Sequence, residues 1–192
     1  MANMQNRRRI FNLLHQAIGM TPKVLKYYAD GNSADIDIYL GVDRPDVEIT
    51  TYSTIGLSDY PIGLSTQEGK TIRVEFISMC KSESEYYGNI LASCAFNIIN
   101  DNYTCKPGIV YPNIITKYYN NSVMKHMYFT SPFSWPTLQK IEDDDKVVLW
   151  LLAIPISDEE FDYLHENGIE RFEELLETHD IKYYDINRQS IL

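Results

Sequence analysis

Lys146-Val-Val-Leu-Trp-Leu-Leu-Ala-Ile-Pro-Ile156, with Ser157-Asp-Glu-Glu160 directly behind it, is the stretch whose reading decides the fold. Val147 to Ile154 is an unbroken apolar run. A half-exposed strand alternates apolar and polar residues, so a continuous run reads as a strand covered on both faces, here stopped by Pro155. The run is far short of the ~20 residues that a membrane-spanning helix needs. Ser157 then offers a hydroxyl to the first orphan amides of a helix, and Glu160 reaches back to the amide of Ser157. Asp158 and Glu159 add negative charge at the positive end of that helix. Phe161 and Leu164 mark its inner face and Asn167-Gly168 its end. A second helix follows, with Ile169, Phe172, Leu175 and Leu176 as its apolar stripe and Glu170, Glu173, Glu174 and Glu177 on its outside. Ile181–Ile186 reads as a final strand.

Upstream, Glu142-Asp-Asp-Asp145 predicts a turn leading into the buried strand. Asp35-Ile-Asp-Ile-Tyr-Leu40 and Val47-Glu-Ile-Thr-Thr51 alternate, with a turn at Gly41–Asp46 between them, so a hairpin is expected. Ile36, Ile38, Val47 and Ile49 would face the core, and Asp35, Asp37 and Glu48 water. Lys70-Thr-Ile-Arg-Val-Glu-Phe76 is a further alternating strand that puts Arg73 and Glu75 together on the face opposite Ile72, Val74 and Phe76. Residues 83–100 carry Tyr87, Ile90, Leu91, Cys94, Ala95, Ile98 and Ile99 at helical spacing, and Asn100-Asp-Asn102 ends that helix. Short strands are expected near Ile109-Val110 and at His126–Thr130, and the aromatics of Ser131–Pro136 should pack down. Residues 6–18 form an amphipathic helix with Arg7, Arg8 and Arg9 at its start, where positive charge is unfavourable; these arginines are frayed, solvated or paired with distant acids. Strands that follow one another without intervening helices indicate an α+β fold, a mixed, largely antiparallel sheet flanked by helices. With no Gly/Ser-rich linker and no repeat, residues 1–192 read as a single domain, 1–29 being an N-terminal helix and its connection.

The formal net charge of −10 is unevenly spread. Residues 1–26 carry five bases and no acids, whereas residues 142–192 carry 15 acids and 4 bases, a net of −11. Nucleic-acid binding needs Lys and Arg against phosphate, so the acidic part argues against it. It favours solubility and a basic protein partner. Cys80, Cys94 and Cys105 fit no metal or redox spacing and read as reduced thiols of a cytoplasmic protein.

No catalytic pattern emerges. Gly63-Leu-Ser-Thr-Gln67 lacks the second glycine of a nucleophile elbow. His15, His126, His165 and His179 are widely spaced and read as surface or capping residues. His165-Glu166 is not followed by a histidine at zincin spacing, and Glu142–Asp145 lacks the order of a calcium loop. Gly56 and Gly63 are isolated turn glycines, not a phosphate loop. Neither an enzyme nor a metal or cofactor is expected.

Thr54-Ile-Gly-Leu-Ser58, Arg73-Val-Glu-Phe76, Trp150-Leu-Leu-Ala-Ile-Pro-Ile156 with Glu159-Glu160, Gly168, and Arg188-Gln-Ser190 occur in that order. Together they resemble a suppressor-of-fused-type domain in its small bacterial form, over residues 30 to the end. Thr54, Gly56, Arg73, Glu75, Trp150, Pro155, Gly168 and Arg188 carry the likeness. It implies a single domain on a mixed sheet and a binding role without catalysis. Bacterial members of this kind resemble immunity proteins, and one antitoxin group of Bacillus-like bacteria is paired with LXG-type toxins ending in a nuclease domain. Animal relatives bind a transcription factor's peptide. The expected function is therefore an antitoxin that binds and neutralises a cognate nuclease toxin, with no membrane and no nucleic acid as partner. A nuclease cleft is basic, which makes Glu142, Asp143, Asp144, Asp145, Glu170, Glu173, Glu174 and Glu177 the candidate contacts. The competing expectation is a peptide-binding adaptor that takes a strand at a sheet edge.

Overall fold

A computed structural model describes residues 2–19 and 22–192. In chain order it comprises α1 (Ala2–Ile18), β1 (Lys23–Tyr28), β2 (Asp35–Gly41), β3 (Ile49–Ile55), β4 (Thr71–Lys81), α2 (Tyr87–Asp101), β5 (Val110–Tyr111), β6 (His126–Thr130), β7 (Ile141–Glu142), β8 (Lys146–Ile156), α3 (Asp158–Asn167) and α4 (Ile169–Thr178). The strands form one eight-stranded sheet in the order β1-β2-β3-β4-β8-β6-β5, with β7 paired to β8 beside the path. All pairings are antiparallel except β4 with β8, which runs from Thr71 opposite Lys146 to Ile77 opposite Leu152.

The unbroken apolar run is explained by helices on both sides of the sheet. Leu151 and Ala153 belong to the core under α2, with Ile36, Ile38, Val74, Phe76, Ile90 and Leu91. Val148, Trp150, Leu152 and Ile154 belong to the opposite core, with Ile10 and Leu14 of α1, Leu164 of α3 and Phe172 of α4. With a side-chain period of two, each successive residue must suit an apolar environment on one side or the other. β8 runs on through Pro155, which lies beyond Leu152, the last residue paired with β4.

The helix at Asp158–Asn167 begins with the expected capping box. Ser157 Oγ accepts from the amide of Glu160, and Glu160 Oε2 accepts from the amide of Ser157. α2 ends at Asn102 in a left-handed conformation, and its apolar face is buried as read. Arg7 and Arg9 are paired with distant acids, the last of the three alternatives open to them.

Several elements differ from the sequence reading. β1 was not foreseen, because Lys23-Val-Leu-Lys-Tyr-Tyr28 is an edge strand exposed on most of its length and so lacks a burial pattern. Val47 is 79 % exposed instead of facing the core. Residues 46–48 complete the turn, with Glu48 at φ 67°, and β3 starts only at Ile49. Ile181–Ile186 is not a strand: the amides of Asp185 and Arg188 donate hydrogen bonds to carbonyls three residues back, which curl the segment into turns. Asp35 and Asp37 do not simply face water but ion-pair with Arg7 and Lys26. In the 131–136 loop Trp135 packs down, whereas Phe133 is 62 % exposed.

Candidate functional site

The family-like residues assemble into two buried carboxylate nodes. In the first, Glu75 of β4 is fully enclosed. Its Oε1 accepts from the amides of Gly56 and Ser58 at 3.0 Å each and from Ser58 Oγ at 2.7 Å. Its Oε2 accepts from Thr54 Oγ1 at 2.6 Å and from the amide of Leu57 at 3.3 Å. Burial pushes this carboxyl up to about 7 even though the five donors favour the anion. Gly56, at φ 100°, lets the chain turn around the carboxylate, and a side chain there would strike the Arg7 guanidinium. The pair Arg73 and Glu75, expected as an ordinary polar face of a strand, is therefore an interior feature. The Arg73 Nε and Nη1 and the Trp150 Nε1 are likewise buried, without an acceptor among the described residues.

The second node ties the C-terminal tail to the α3 cap. Arg188 donates to both oxygens of the fully buried Glu160, at 2.5 and 2.6 Å, and to the carbonyl of Pro155 at 3.0 Å. The amide of Ile191 adds a bond to Glu160 Oε1. Gly168, at φ 84° and ψ 171°, turns α3 into α4.

His126 is not at the surface: it is buried in β6, where it satisfies a backbone amide and the start of α3 together. Its Nδ1 accepts from the amide of Asn113 at 3.0 Å, which leaves Nε2 to donate to Asp158 Oδ1 at 2.8 Å. Lys125 also pairs with Asp158 and is the first cause of that carboxyl's lowered pKa. With Nδ1 committed to a backbone amide, the pair has no free base to activate a nucleophile. The three thiols are buried, and burial raises Cys80 to about 11 and Cys105 to about 12. Such thiols are poor nucleophiles near neutral pH. Among the described residues no group of three His, Cys, Asp or Glu could hold a metal, and no helix is long and apolar enough to cross a membrane.

The candidate contact acids fall into two groups that the fold separates. Glu142–Asp145 sit at the β7–β8 turn, whereas α4 lies over the far half of β8. The strand rise puts the two groups roughly 20 Å apart. At the turn, Glu142 is paired with Lys70 and Lys140 at 3.0 and 2.8 Å, and Lys140 leads in holding its carboxyl at about 2. Asp143 is bound by Arg9 at 2.7 Å, and Asp144 and Asp145 are exposed. On α4, Glu170, Glu174 and Glu177 are exposed as expected, but Glu173 is not. It turns inward, where its Oε1 accepts from the hydroxyls of Tyr128 and Thr130. Sequence spacing places it on the outside of the helix and does not show that two hydroxyls of β6 lie opposite.

Beside Glu173 the structure has a groove of about 560 Å³ between α4, the end of β6 and the tail. No sequence pattern indicated it, because its walls come from four separate segments.

The fold is a helix-flanked mixed sheet in which the buried carboxylates Glu75 and Glu160 tie separate segments of the chain together. Residues 32–189 match the suppressor of fused protein (SUFU) family, and the chain belongs to that family. It is 41 % identical over 177 residues to the Immunity protein YqcF of Bacillus subtilis (strain 168), covering 92 % of each chain. Solved structures share the fold. A putative SUFU homologue from Neisseria gonorrhoeae FA 1090 superposes with a TM-score of 0.73 at 17 % identity over 98 % of both chains. The Sufu-Fu complex gives 0.67 at 13 % identity, over 96 % of this chain and 91 % of that one.

Proposed function

We propose that this chain is an immunity protein that binds a cognate LXG-type nuclease toxin directly and neutralises it without catalysis of its own. The observation that carries the reading is the 41 % identity to Immunity protein YqcF along nearly the whole length of both chains. The charge distribution supports a basic partner. The net of −11 over residues 142–192 would steer association with the basic cleft of a nuclease. Of the candidate contacts, Glu142 and Asp143 are already partnered within the fold, Glu170 and Glu174 are exposed rim charges that would steer the approach, and Glu177 is the exposed acid placed for a direct contact. The three reduced thiols suit action in the cytoplasm, where a producing cell meets its own toxin.

Co-expression with the cognate LXG-type toxin tests the reading. The expected result is restored growth and co-elution of the two chains; a toxin that kills and purifies alone overturns it. The adaptor reading has one feature in its favour, the unpaired outer edge of β1 with Val24, Leu25 and Tyr28 exposed. Lys23 and Lys26 on that edge are the residues that natural sheets use to discourage strand addition. Recovery of an extended peptide of another protein, in place of the toxin, would select that reading.

A further inference from the structure

We propose that the groove between α4 and the tail is the seat of a lysine or arginine side chain of the partner, the point at which the immunity protein grips its toxin. The inference rests on the function proposed above and deepens it. Ile154 and Leu176 line the groove, with Ile169 on one wall and Phe133 and Tyr183 on the other. Phe133 and Ile169 are large apolar side chains left exposed, 62 % and 43 %, and both line this one depression. The aromatic wall is fixed, since Phe133 meets Tyr183 edge-on at 5.4 Å and Tyr183 bonds to Ser134. The volume falls in the range, roughly 300–1,000 Å³, of sites that enclose a ligand or a few side chains.

The charge of the rim selects the occupant. Glu173, Glu177 and Asp180 line the groove, and among the described residues no Lys, Arg or His does. Glu173 and Glu177 are four residues apart on one helix, so their side chains are neighbours of like charge. Glu173 is held rigidly through Oε1 by Tyr128 and Thr130, which leaves Oε2 without a partner among the described residues. A plain hydrophobic anchor would be ill served by three carboxylates, and a small cation would leave the apolar walls wet. A lysine or arginine satisfies both, with its methylene stem on Ile169 and Phe133 and its charged head among the carboxylates. An enclosed cationic anchor ringed by less sensitive contacts is the usual anatomy of an interface hot spot.

The test measures affinity, at 0.15 M salt, for the C-terminal domain of the cognate LXG-type toxin. Phe133→Ala, Glu177→Lys and Asp180→Lys remove groove features from exposed positions. Glu170→Lys and Glu174→Lys change the same helix outside the groove. Circular dichroism melts establish that each variant is folded. The expected result is a loss on the order of tenfold to a hundredfold for each groove variant and no more than a few-fold for Glu170→Lys and Glu174→Lys. Binding by the wild type with groove variants unaffected, or with all five variants equally weakened, overturns the groove and leaves the immunity function standing. A wild-type chain that does not bind the toxin at all overturns the immunity reading and this inference with it.

Discussion

Glu75 is held by five donors and by no salt bridge among the described residues, so its environment is judged by burial and hydrogen bonding alone. Its folded pKa of about 7 lies above the ordinary 4.5. The folded chain therefore binds the proton more strongly than the unfolded chain between those values. The stability this group contributes is fully present below pH 4.5 and is lost as pH rises through 7, about 3 kcal/mol in all. Glu75→Gln removes the titration and turns an NH2 group toward amides that need an acceptor. We expect it to cost about 2 kcal/mol at pH 7 and to flatten the pH dependence of the urea midpoint between pH 5 and 7. A Gln variant with the wild-type slope would show that another group is responsible. At the second node, Arg188→Ala leaves Glu160 buried without its cation, at a cost of about 3–5 kcal/mol. Hydrogen exchange should then rise in residues 181–192 before it rises in β8; uniform protection of the tail would contradict the clamp.

Among the elements, the α3–α4 corner depends on one residue. Gly168 combines φ 84° with ψ 171°, a region in which L side chains are strained, yet a β-carbon there would meet nothing within 4 Å. Gly168→Ala should therefore destabilise by about 1–3 kcal/mol through the backbone alone, measured by thermal melting, and a D-alanine introduced at the position by ligation should not. Equal losses for both would mean that space, not conformation, is limiting. This corner was legible in the sequence because Asn-Gly after an amphipathic helix is a local signal, as were the capping box at Ser157 and the doubly covered β8. What local pattern could not reveal was set by partners far along the chain. β1 has no periodicity because it is an exposed edge. Ile181–Ile186 looks like a strand but is fixed by Arg188, and Glu173 looks like an outward acid until Tyr128 and Thr130 come opposite. The motif residues were legible as a set, whereas their role as buried clamps emerged only once Thr54, Ser58 and Glu75 were seen on adjacent strands and their connecting turn.

For the whole molecule, the charge asymmetry and the family boundary raise the same question about the N-terminus. The family match begins at residue 32 and leaves α1 and β1 outside it. Yet α1 brings Ile10, Leu14 and Ile18 into the core that contains Trp150 and Phe172. Full burial of such side chains stabilises by about 1.5–3 kcal/mol each, so the three together contribute roughly 5–9 kcal/mol, comparable with the whole stability of an ordinary domain. The positive segment is also bound electrostatically. Arg7 meets Asp35, Asp37 and Asp59 at 3.2–3.5 Å, and Arg9 meets Asp143. The helix begins at Ala2, so Arg7 and Arg9 lie beyond its first turn, where the dipole no longer opposes them, and acids on other elements pair with them. It follows that residues 32–192 alone should not fold stably, since removal of α1 uncovers Tyr39, Ile55 and Ile77 and strands Asp35, Asp37, Asp59 and Asp143. Circular dichroism and urea titration should show no cooperative transition for that fragment at 25 °C, and Leu14→Ala in the full chain should already cost about 2–5 kcal/mol. A fragment that melts at the full-length midpoint would mean that the sheet and its remaining helices are sufficient, and that α1 is an appendage.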